Sequence, residues 1–314
     1  MANLASGGTL YPNGNLQSDV ILQEALDTFS KDLGILGSIH RDFGGEAMRF
    51  NQSLQTRIFS VRDKTDVEDF AQATGYTPGN EDSDMDPVTI TLDKHKFIKF
   101  HLTDIEREQT EVSWIADAAK HASHALARKV TEDLLEVALA ADTTVGGAIS
   151  LAAFDTDDIF GLAQAMDQEN MPSAGRWLVL DVDAYYQLIK TMTTISNASF
   201  DVKPGINRAL LDQTLGGFQV YVFNGLNGLT GGTKALAGYE GSLAMVNRLP
   251  EFADASMQIG DIANASEPSS GLSLQLRRKY DVFAAREEYA LTIMYGLKAP
   301  NDGTTNRLFS LNIS

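Results

Sequence analysis

Hydrophobic residues recur with helical spacing in two segments of the first 145 residues. The first segment follows Ser18, a residue suited to an N-cap, and Gly34 and Gly37 are expected to end it. Its apolar face consists of Ile21, Ala25, Leu26, Phe29 and Leu33. The second segment runs from Glu111 to Ala140 without Gly or Pro and predicts a helix about 45 Å long at 1.5 Å per residue. Its apolar stripe contains Ile115, Ala118, Ala119, Ala122, Leu126, Val130, Leu134, Val137 and Ala138. Such a helix is typical of a spine across which other elements pack.

Between these helices the pattern changes to the alternation that is typical of β-strands. Strand character appears at Arg57–Val61, Val88–Leu92 and Lys96–Phe100. The stretch from Asp63 to Asp86 is polar and acidic, and it is too hydrophilic to be buried. This pattern predicts a long hairpin that projects from the body of the protein. Residues 1 to 17 are rich in small and polar residues and predict an extended arm that needs support from elsewhere.

Helix and strand signals alternate after Gly146 and Gly147, which predicts a layered α/β lobe. The signals are a helix capped by Asp155, a buried strand at Arg176–Leu180, a helix from Asp183, a polar loop from Thr194 to Pro204, a turn at Gly216 and Gly217, and a strand at Phe218–Phe223. Two alternating segments, Leu272–Tyr280 and Tyr289–Tyr295, predict a closing sheet on which the long helix rests. The predicted fold class is α+β.

Composition excludes several classes of function. The formal net charge of -17 argues against phosphate-driven nucleic-acid binding as the main activity, because counterion release requires clustered Lys and Arg. The absence of cysteine excludes disulfides, thiolate zinc sites, iron–sulfur clusters and a cysteine nucleophile. The N-terminus lacks the basic and apolar regions of a signal peptide, and no run approaches the roughly 20 apolar residues that span a bilayer. We therefore expect a cytoplasmic protein that is neither secreted nor membrane-bound.

Two groups of residues resemble metal sites. Asp82, Asp84, Asp86 and Asp93 imitate positions 1, 3, 5 and 12 of a calcium loop. Pro87 stands where that loop needs Gly, so we interpret the segment as a solvated acidic loop. His121 and His124 lie three residues apart on the long helix and could share a metal. Because no third ligand follows at a recognisable spacing, we interpret them as a polar helix edge or a subunit contact.

Other motifs give no support for catalysis. The segment Gly228–Lys234 lacks the Gly before Lys and the Ser or Thr after it that a phosphate-binding loop requires, so we interpret it as a turn. No G-x-S-x-G elbow is present. The basic cluster Arg277–Lys279 would alternate between the two faces of a strand, which favours salt bridges or neighbour contacts over a nucleic-acid groove. We predict no catalytic, cofactor-binding or metal-binding residues and no cofactor.

The order of arm, hairpin, spine helix, α/β lobe and closing strands resembles the major capsid proteins of tailed bacteriophages, which have the Hong Kong 97 type capsid fold. Arg176–Tyr186 resembles the strand-to-helix segment of their axial domain, Gly217–Asn224 resembles its later strand, and Tyr295–Asn301 is similar to the end of their peripheral domain. The resemblance implies four regions: an N-terminal arm (1–45), an extended E-loop hairpin (46–105), a peripheral domain (106–145 and 266–314) and an α/β axial domain (146–265).

The resemblance also implies a function. Pentamers and hexamers of the chain would close into an icosahedral shell that encloses double-stranded DNA without sequence-specific binding. The expected partners are the chain itself, a scaffolding protein, a portal and in some systems a cement protein; no membrane is expected. The expected location is the virion, after assembly in the host cytoplasm. Some family members cross-link Lys to Asn, but no motif marks Lys64 or any other residue for this reaction.

Two alternatives remain. An encapsulin-like compartment shell has the same fold and holds enzymes instead of DNA. A metal-assisted hydrolase could use Asp155, Asp157 and Asp158, although these residues are also suited to a helix N-terminus.

Overall fold

A computed structural model describes most of the chain. The described residues are 14–32, 34–42, 49–59, 85–109, 113–198, 216–229, 232–250, 261–266, 272–300 and 307–314. Several predicted features lie outside them: most of the arm, the acidic stretch 60–84 with Lys64, Asp82 and Asp84, and most of the loop predicted to end at Pro204.

The described residues form α-helices, short 3-10 helices and β-strands. The α-helices are α1 (Gly14–Asp32), α2 (Asp104–Gln109), α3 (Ser113–Leu139), α4 (Thr156–Gln168), α5 (Val182–Ala198) and α6 (Leu226–Leu229). The first seven strands are β1 (His40–Asp42), β2 (Ser53–Phe59), β3 (Met85–Thr91), β4 (Lys94–Thr103), β5 (Thr143–Thr144), β6 (Arg176–Asp181) and β7 (Gln219–Phe223). The remaining strands are β8 (Thr233–Tyr239), β9 (Ala244–Arg248), β10 (Asp261–Ser266), β11 (Ser273–Asp281), β12 (Arg286–Lys298) and β13 (Leu308–Asn312).

The helix α3 is the predicted spine and spans about 40 Å. Its buried positions follow the predicted stripe from Ile115 to Ala138, although Ala118 and Val137 are half-buried. It is shorter than predicted because its first turn starts at Ser113, after the separate helix α2. The helix packs on β4 and β12, which confirms that the closing strands support the spine.

The helix α1 begins at Gly14, four residues before the predicted cap at Ser18. Leu16 and Gln17 are good helix formers, so the helix extends through part of the predicted extended arm. Its buried face packs against α3, β10 and β11 of the same chain. This part of the arm therefore finds its support within its own chain.

Six strands form the sheet beneath α1 and α3. Five of them follow the order β1-β9-β12-β11-β10, and β4 pairs with β12. Met294 and Tyr295 of β12 pair with β9 and β4 at the same positions, so β4 and β9 must lie on opposite edges of β12. The inner face of the sheet and the two helices enclose the largest apolar core.

The predicted hairpin consists of β2 and β3, which pair antiparallel from Ser53↔Thr91 to Phe59↔Met85. The third predicted strand, at Lys96–Phe100, lies in β4 instead and pairs along ten residues of β12. It leaves the hairpin because alternate residues, such as Ile98 and Phe100, pack against the main core.

A five-stranded sheet of order β5-β13-β8-β6-β7 forms the α/β lobe with α4 and α5. The helix α5 continues to Ala198, so residues 194–198 are helical where a polar loop was predicted, because Thr, Ser and Asn weaken a helix without breaking it. The pairing differs from the predicted boundaries at residues 145 and 266. The strands β9 and β10 belong to the six-stranded sheet, whereas β5 and β13 belong to the lobe.

Candidate assembly surfaces

The base of the hairpin is fixed to the face of the six-stranded sheet that is opposite the helices. Val88, Ile90 and Leu92 form a separate apolar cluster with Ala244, Val246 and Met294. The backbone of β3 crosses β12 at Gly296, where an added Cβ would overlap the carbonyl oxygen of Thr91. A side chain is therefore excluded at this crossing, and the glycine determines how the hairpin leaves the body.

A buried carboxylate joins the spine helix to the sheet. Asp133 of α3 accepts a hydrogen bond of 2.8 Å from the hydroxyl of the buried Tyr295 on β12. Three ammonium groups surround the same carboxylate, at 3.1 Å for Lys129, 3.4 Å for Lys94 and 3.6 Å for Lys96. Because these groups come from α3, β4 and β12, Asp133 fixes the helix against both strands.

The electrostatics of this cluster keep Asp133 ionised. Burial alone raises the pKa of Asp133, but the hydrogen bonds from Tyr295 and Lys129 and the charge of Lys94 outweigh burial and hold it below its usual value. Burial, followed by the hydrogen bond to Asp133, raises the pKa of the Tyr295 hydroxyl well above its usual range. The tyrosine therefore stays a donor, and the carboxylate stays an acceptor.

Polar contacts also tie α1 to α3. His124 Nδ1 lies 2.6 Å from Asp32 Oδ2, and Lys120 Nζ lies 3.3 Å from Glu24 Oε2. The buried Ser123 donates a 2.5 Å hydrogen bond to the carbonyl of Ala25. These contacts surround the apolar seam between the helices and fix their register.

A cavity of about 390 Å³ lies where the end of α1, the spine helix and β7 meet. Its lining includes Ile35, Leu135, Val179, Tyr221 and Phe223, with His124 and Arg128 among its polar residues. Arg128 Nη2 donates to the carbonyl of Asn224 at 3.4 Å, and Tyr221 and Ser38 share a 2.8 Å hydrogen bond. The cavity is mostly apolar, with its polar groups bonded to neighbours.

An apolar projection lies at the turn between β11 and β12. Val282 is largely exposed and Phe283 is fully exposed. The carboxylate of Asp281 shapes the turn by accepting from the amides of Phe283 and Ala284 at 3.0 and 3.3 Å. Ile105 of α2 is also exposed nearby, because the amide of Asp104 donates to the carbonyl of Ala285. Contiguous exposed apolar side chains of this kind mark contact surfaces.

The residues that resembled metal sites do not converge. Asp86 lies within β3 and Asp93 follows that strand, so these positions are extended and cannot wrap around one ion. His121 is exposed, while His124 pairs with Asp32. In the described part of the chain, no group of three or more His, Asp or Glu side chains could hold a metal.

The remaining motifs have structural roles. Gly228 lies in α6 and the following residues enter β8, so the glycine-rich segment is followed by a strand. The basic cluster alternates between faces as predicted: Arg278 pairs with Glu287 at 2.9 Å on the helix side, and Lys279 pairs with Glu288 at 3.4 Å on the other. Among the described residues, every helix is too short or too polar to span a bilayer.

The candidate hydrolase carboxylates form a capping box at the start of α4. Asp155 accepts from the amide of Asp157 at 2.9 Å, and Asp158 accepts from the amide of Asp155 at 3.1 Å. Asp155→Ala should lower the free energy of unfolding by about 1 kcal/mol, because the first turn of α4 loses its cap. Urea denaturation measures this loss, and Asp142→Ala, an exposed carboxylate outside the helix, is the control. A loss no greater than that of the control would contradict the assigned cap.

Sequence reasoning missed the two residues that organise these surfaces. Asp133 lies beside Val130 and Leu134 on the buried side of α3, and a carboxylate there signals a buried partner. Gly296 interrupts an otherwise apolar strand, which signals a close backbone approach. Neither signal identifies the partner, because Tyr295 and Thr91 lie far from these residues in sequence or in another strand.

Comparisons with known proteins place this geometry among shell proteins. No protein-family model matches the chain, and no curated protein sequence matches it. The capsid structure of cyanophage P-SCSP1u is similar, with a TM-score of 0.53, 12% identity and coverage of 88% of this chain and 86% of that chain. A structure from Mycobacterium phage Che8 has a TM-score of 0.53, 17% identity and coverage of 88% and 89%.

A third similar structure is a virus-like particle from Pyrococcus furiosus. Its TM-score is 0.51 at 12% identity, with coverage of 92% of this chain and 96% of that chain. At such low identity the likeness concerns the fold, and it extends over nearly the whole chain in each case. The chain therefore has the Hong Kong 97 type capsid fold, with the spine helix, closing sheet, hairpin and α/β lobe predicted from its sequence.

Proposed function

We propose that the chain is a major capsid protein that self-assembles as pentamers and hexamers into the icosahedral shell of a phage. The observation that carries this proposal is the agreement of fold along nearly the whole chain with the capsid of cyanophage P-SCSP1u. Its role is structural and not enzymatic.

The surfaces described above support self-association. The hairpin is attached to the body through one small apolar cluster, and an exposed apolar projection lies at the turn between β11 and β12. Elements with so little core of their own are stabilised by burial against neighbouring subunits, which offsets the entropy lost on ordering them.

The proposed context is the virion. The shell encloses double-stranded DNA without sequence-specific contacts, and an acidic subunit of net charge -17 does not trap DNA during assembly. A scaffolding protein, a portal and in some systems a cement protein are the proposed partners, and assembly takes place in the host cytoplasm.

A second candidate is an encapsulin-like compartment shell that holds enzymes. The likeness to the virus-like particle from Pyrococcus furiosus favours it, because coverage is high for both chains. Nuclease-protected DNA in purified particles would support the phage capsid, whereas particles that hold protein cargo and no DNA would support the compartment.

Electron microscopy of the overexpressed chain, with and without a co-expressed scaffold, tests self-assembly directly. Closed shells, or sheets and tubes of hexamers, are the expected result. A chain that stays monomeric with every phage partner and turns over a small molecule would overturn the proposal.

Replacing residues 60–84 by a short Gly-Ser linker should abolish shells and leave the subunit folded. The three apolar clusters of the described residues contain no member of this segment, so thermal unfolding should change little. Gly161→Ala, altered on an open face of α4, is the control and should assemble like the wild type. Normal shells from the linker variant would show that the hairpin tip has no part in assembly.

A further inference from the structure

The face of the six-stranded sheet opposite α1 and α3 carries positive charge on a strongly acidic chain. On β4, alternate residues from His95 to His101 point away from the helices and are exposed. The strand register aligns Lys99 with Ala290 of β12, and Ala290 with Arg277 of β11. In the next row, His101, Glu288 and Lys279 are aligned in the same way. We define the cationic face as Phe97, Lys99, His101, Arg277, Lys279 and Arg286.

Cations outnumber carboxylates on this face. One carboxylate, Glu288, pairs with both Lys279 at 3.4 Å and Arg286 at 2.8 Å. Lys99 Nζ lies 5.4 Å from the centroid of the exposed Phe97 ring, and no carboxylate of the described residues forms an ion pair with it. The nearby Asp281 is engaged by two amides of its own turn. The face therefore presents uncompensated positive charge beside an exposed aromatic ring.

The charge of Arg277 also reaches across the face. Burial, followed by the charge of Arg277, lowers the pKa of the exposed His95. This effect places the guanidinium close to β4 although two strands separate their backbones, and it shows that the cations of β11 and β4 form one field.

The chain itself contains a segment of opposite charge. Residues 60–84, between β2 and β3, include seven acidic residues and two basic ones: Asp63, Asp66, Glu68, Asp69, Glu81, Asp82 and Asp84 against Arg62 and Lys64. The strands β2 and β3 that hold this segment pack on the same side of the sheet as the cationic face.

The chain's own hairpin leads away from its own cationic face. Val88 and Ile90 of β3 pack with Ala244 and Val246 of β9. The strand β9 lies on the edge of β12 opposite β4, which carries Lys99. The hairpin and the cationic face thus occupy different ends of one surface, which favours contact between two copies over contact within one.

We propose that the cationic face receives the acidic segment 60–84 of a second copy of the chain. This inference rests on the proposed function and names the contact that orders neighbouring subunits. The contact is heterologous, because a segment of one copy meets a different surface of the next, and repeated contacts of this kind close into rings.

Complementary charge gives this contact its specificity. Subunits of net charge -17 repel one another at long range, and the cationic face is the place where an approaching acidic segment is attracted. An incorrect approach, acidic surface against acidic surface, stays unfavourable. The exposed Phe97 ring adds apolar contact area to the charge pairing.

Charge reversal on each side, alone and combined, tests the docking. One variant carries Lys99→Glu and Lys279→Glu, the second carries Glu81→Lys, Asp82→Lys and Asp84→Lys, and the third carries all five changes in one chain. The concentration needed for shell formation is measured by light scattering and electron microscopy. Each single-sided variant should raise it at least about tenfold, and the five-fold variant should restore it to within about threefold of wild type, because every interface regains opposite charges.

Two further variants keep the result interpretable. Lys99→Glu alone lacks the repulsion from Glu288 that Lys279→Glu introduces, so it should raise the shell-forming concentration without lowering the thermal stability of the unassembled subunit. Lys190→Glu, on the exposed side of α5, is the matched control and should assemble like the wild type.

The outcomes separate the two proposals. Normal assembly of the cationic-face variants, or failure of the combined variant to assemble while the wild type forms shells, overturns the docking and leaves the proposed function intact. Normal shells with reduced DNA content would assign the face to a polyanion and would also overturn the docking. A wild-type chain that never assembles overturns the proposed function and the docking with it.

Discussion

Replacing Asp133 by alanine is expected to lower the free energy of unfolding by about 3 kcal/mol. Removal of one partner from a buried charge cluster leaves the others without compensation. The hydroxyl of Tyr295 would lose its acceptor in a fully buried position, and Lys94 and Lys129 would lose the carboxylate that they share. The spine helix would then be held to the sheet by apolar contacts alone.

The loss should depend on pH. Because the native pKa of Asp133 lies below its unfolded value, the ionised carboxylate contributes its full stabilisation above about pH 4. That contribution disappears as the pH falls from there through the native pKa. The difference in stability between wild type and Asp133→Ala should therefore be constant near neutral pH and become smaller in acid.

Urea denaturation of the unassembled subunit at several pH values measures both effects. Asp117→Ala is a matched control on the same helix, since its carboxylate is exposed and lies 3.9 Å from Lys120. It should change stability by less than about 0.5 kcal/mol at every pH. Equal losses for the two variants, or an Asp133 effect that grows in acid, would contradict the assigned role of the cluster.

Gly296→Ala is expected to move the hairpin and to lower the free energy of unfolding by about 2 to 3 kcal/mol. The new methyl group would overlap the carbonyl oxygen of Thr91, which is backbone and cannot rotate away. To relieve the overlap, β3 must move off β12 and weaken the apolar cluster of Ile90 and Met294.

Hydrogen exchange distinguishes this local effect from general destabilisation. Amides of β3 should exchange faster in Gly296→Ala, whereas those of β6 in the other sheet should change less. Gly238→Ala is the comparison, because its methyl group would meet the Trp177 ring at 2.5 Å within the five-stranded sheet. That variant should also be less stable, but with the stronger effect in β6. If both variants gave the same exchange pattern, Gly296 would have no special part in positioning the hairpin.

Local sequence patterns predicted the elements whose signals are contained within one segment. The stripe of α3 repeats over seven turns without interruption, and α4 has its cap, apolar face and end within 20 residues. The strand β6 is buried on both faces and is recognisable as a continuous apolar run. In each case the physical cause lies within the segment itself.

Partners that are distant in sequence could not be predicted in this way. The strand β4 looked like part of the hairpin because β3 precedes it directly, and only its pairing with β12, almost 200 residues later, places it in the main sheet. The strand β13 likewise pairs with β8 across about 70 residues. Sheet membership depends on which edges are available in space, and one sequence contains no direct record of this.

The same limit applied to the candidate site. The cluster around Asp133 joins residues separated by up to 162 positions, so no spacing rule could identify it. The cationic face was signalled in part, since Arg277 and Lys279 were expected to lie on one face of a strand. The contribution of Lys99 to that face depends on the pairing of β4 with β12.

The position of β12 has a consequence for the time at which a subunit can first fold. This strand pairs with β4, β9 and β11, yet it spans Arg286–Lys298 near the end of the chain. At about 5 to 20 residues per second, a ribosome needs about 15 to 60 s to reach it. Until then the spine helix has no complete sheet to cover, and contacts of such long range form slowly. A nascent subunit therefore lacks its joining surfaces until synthesis is almost finished, so truncated chains are kept out of growing shells.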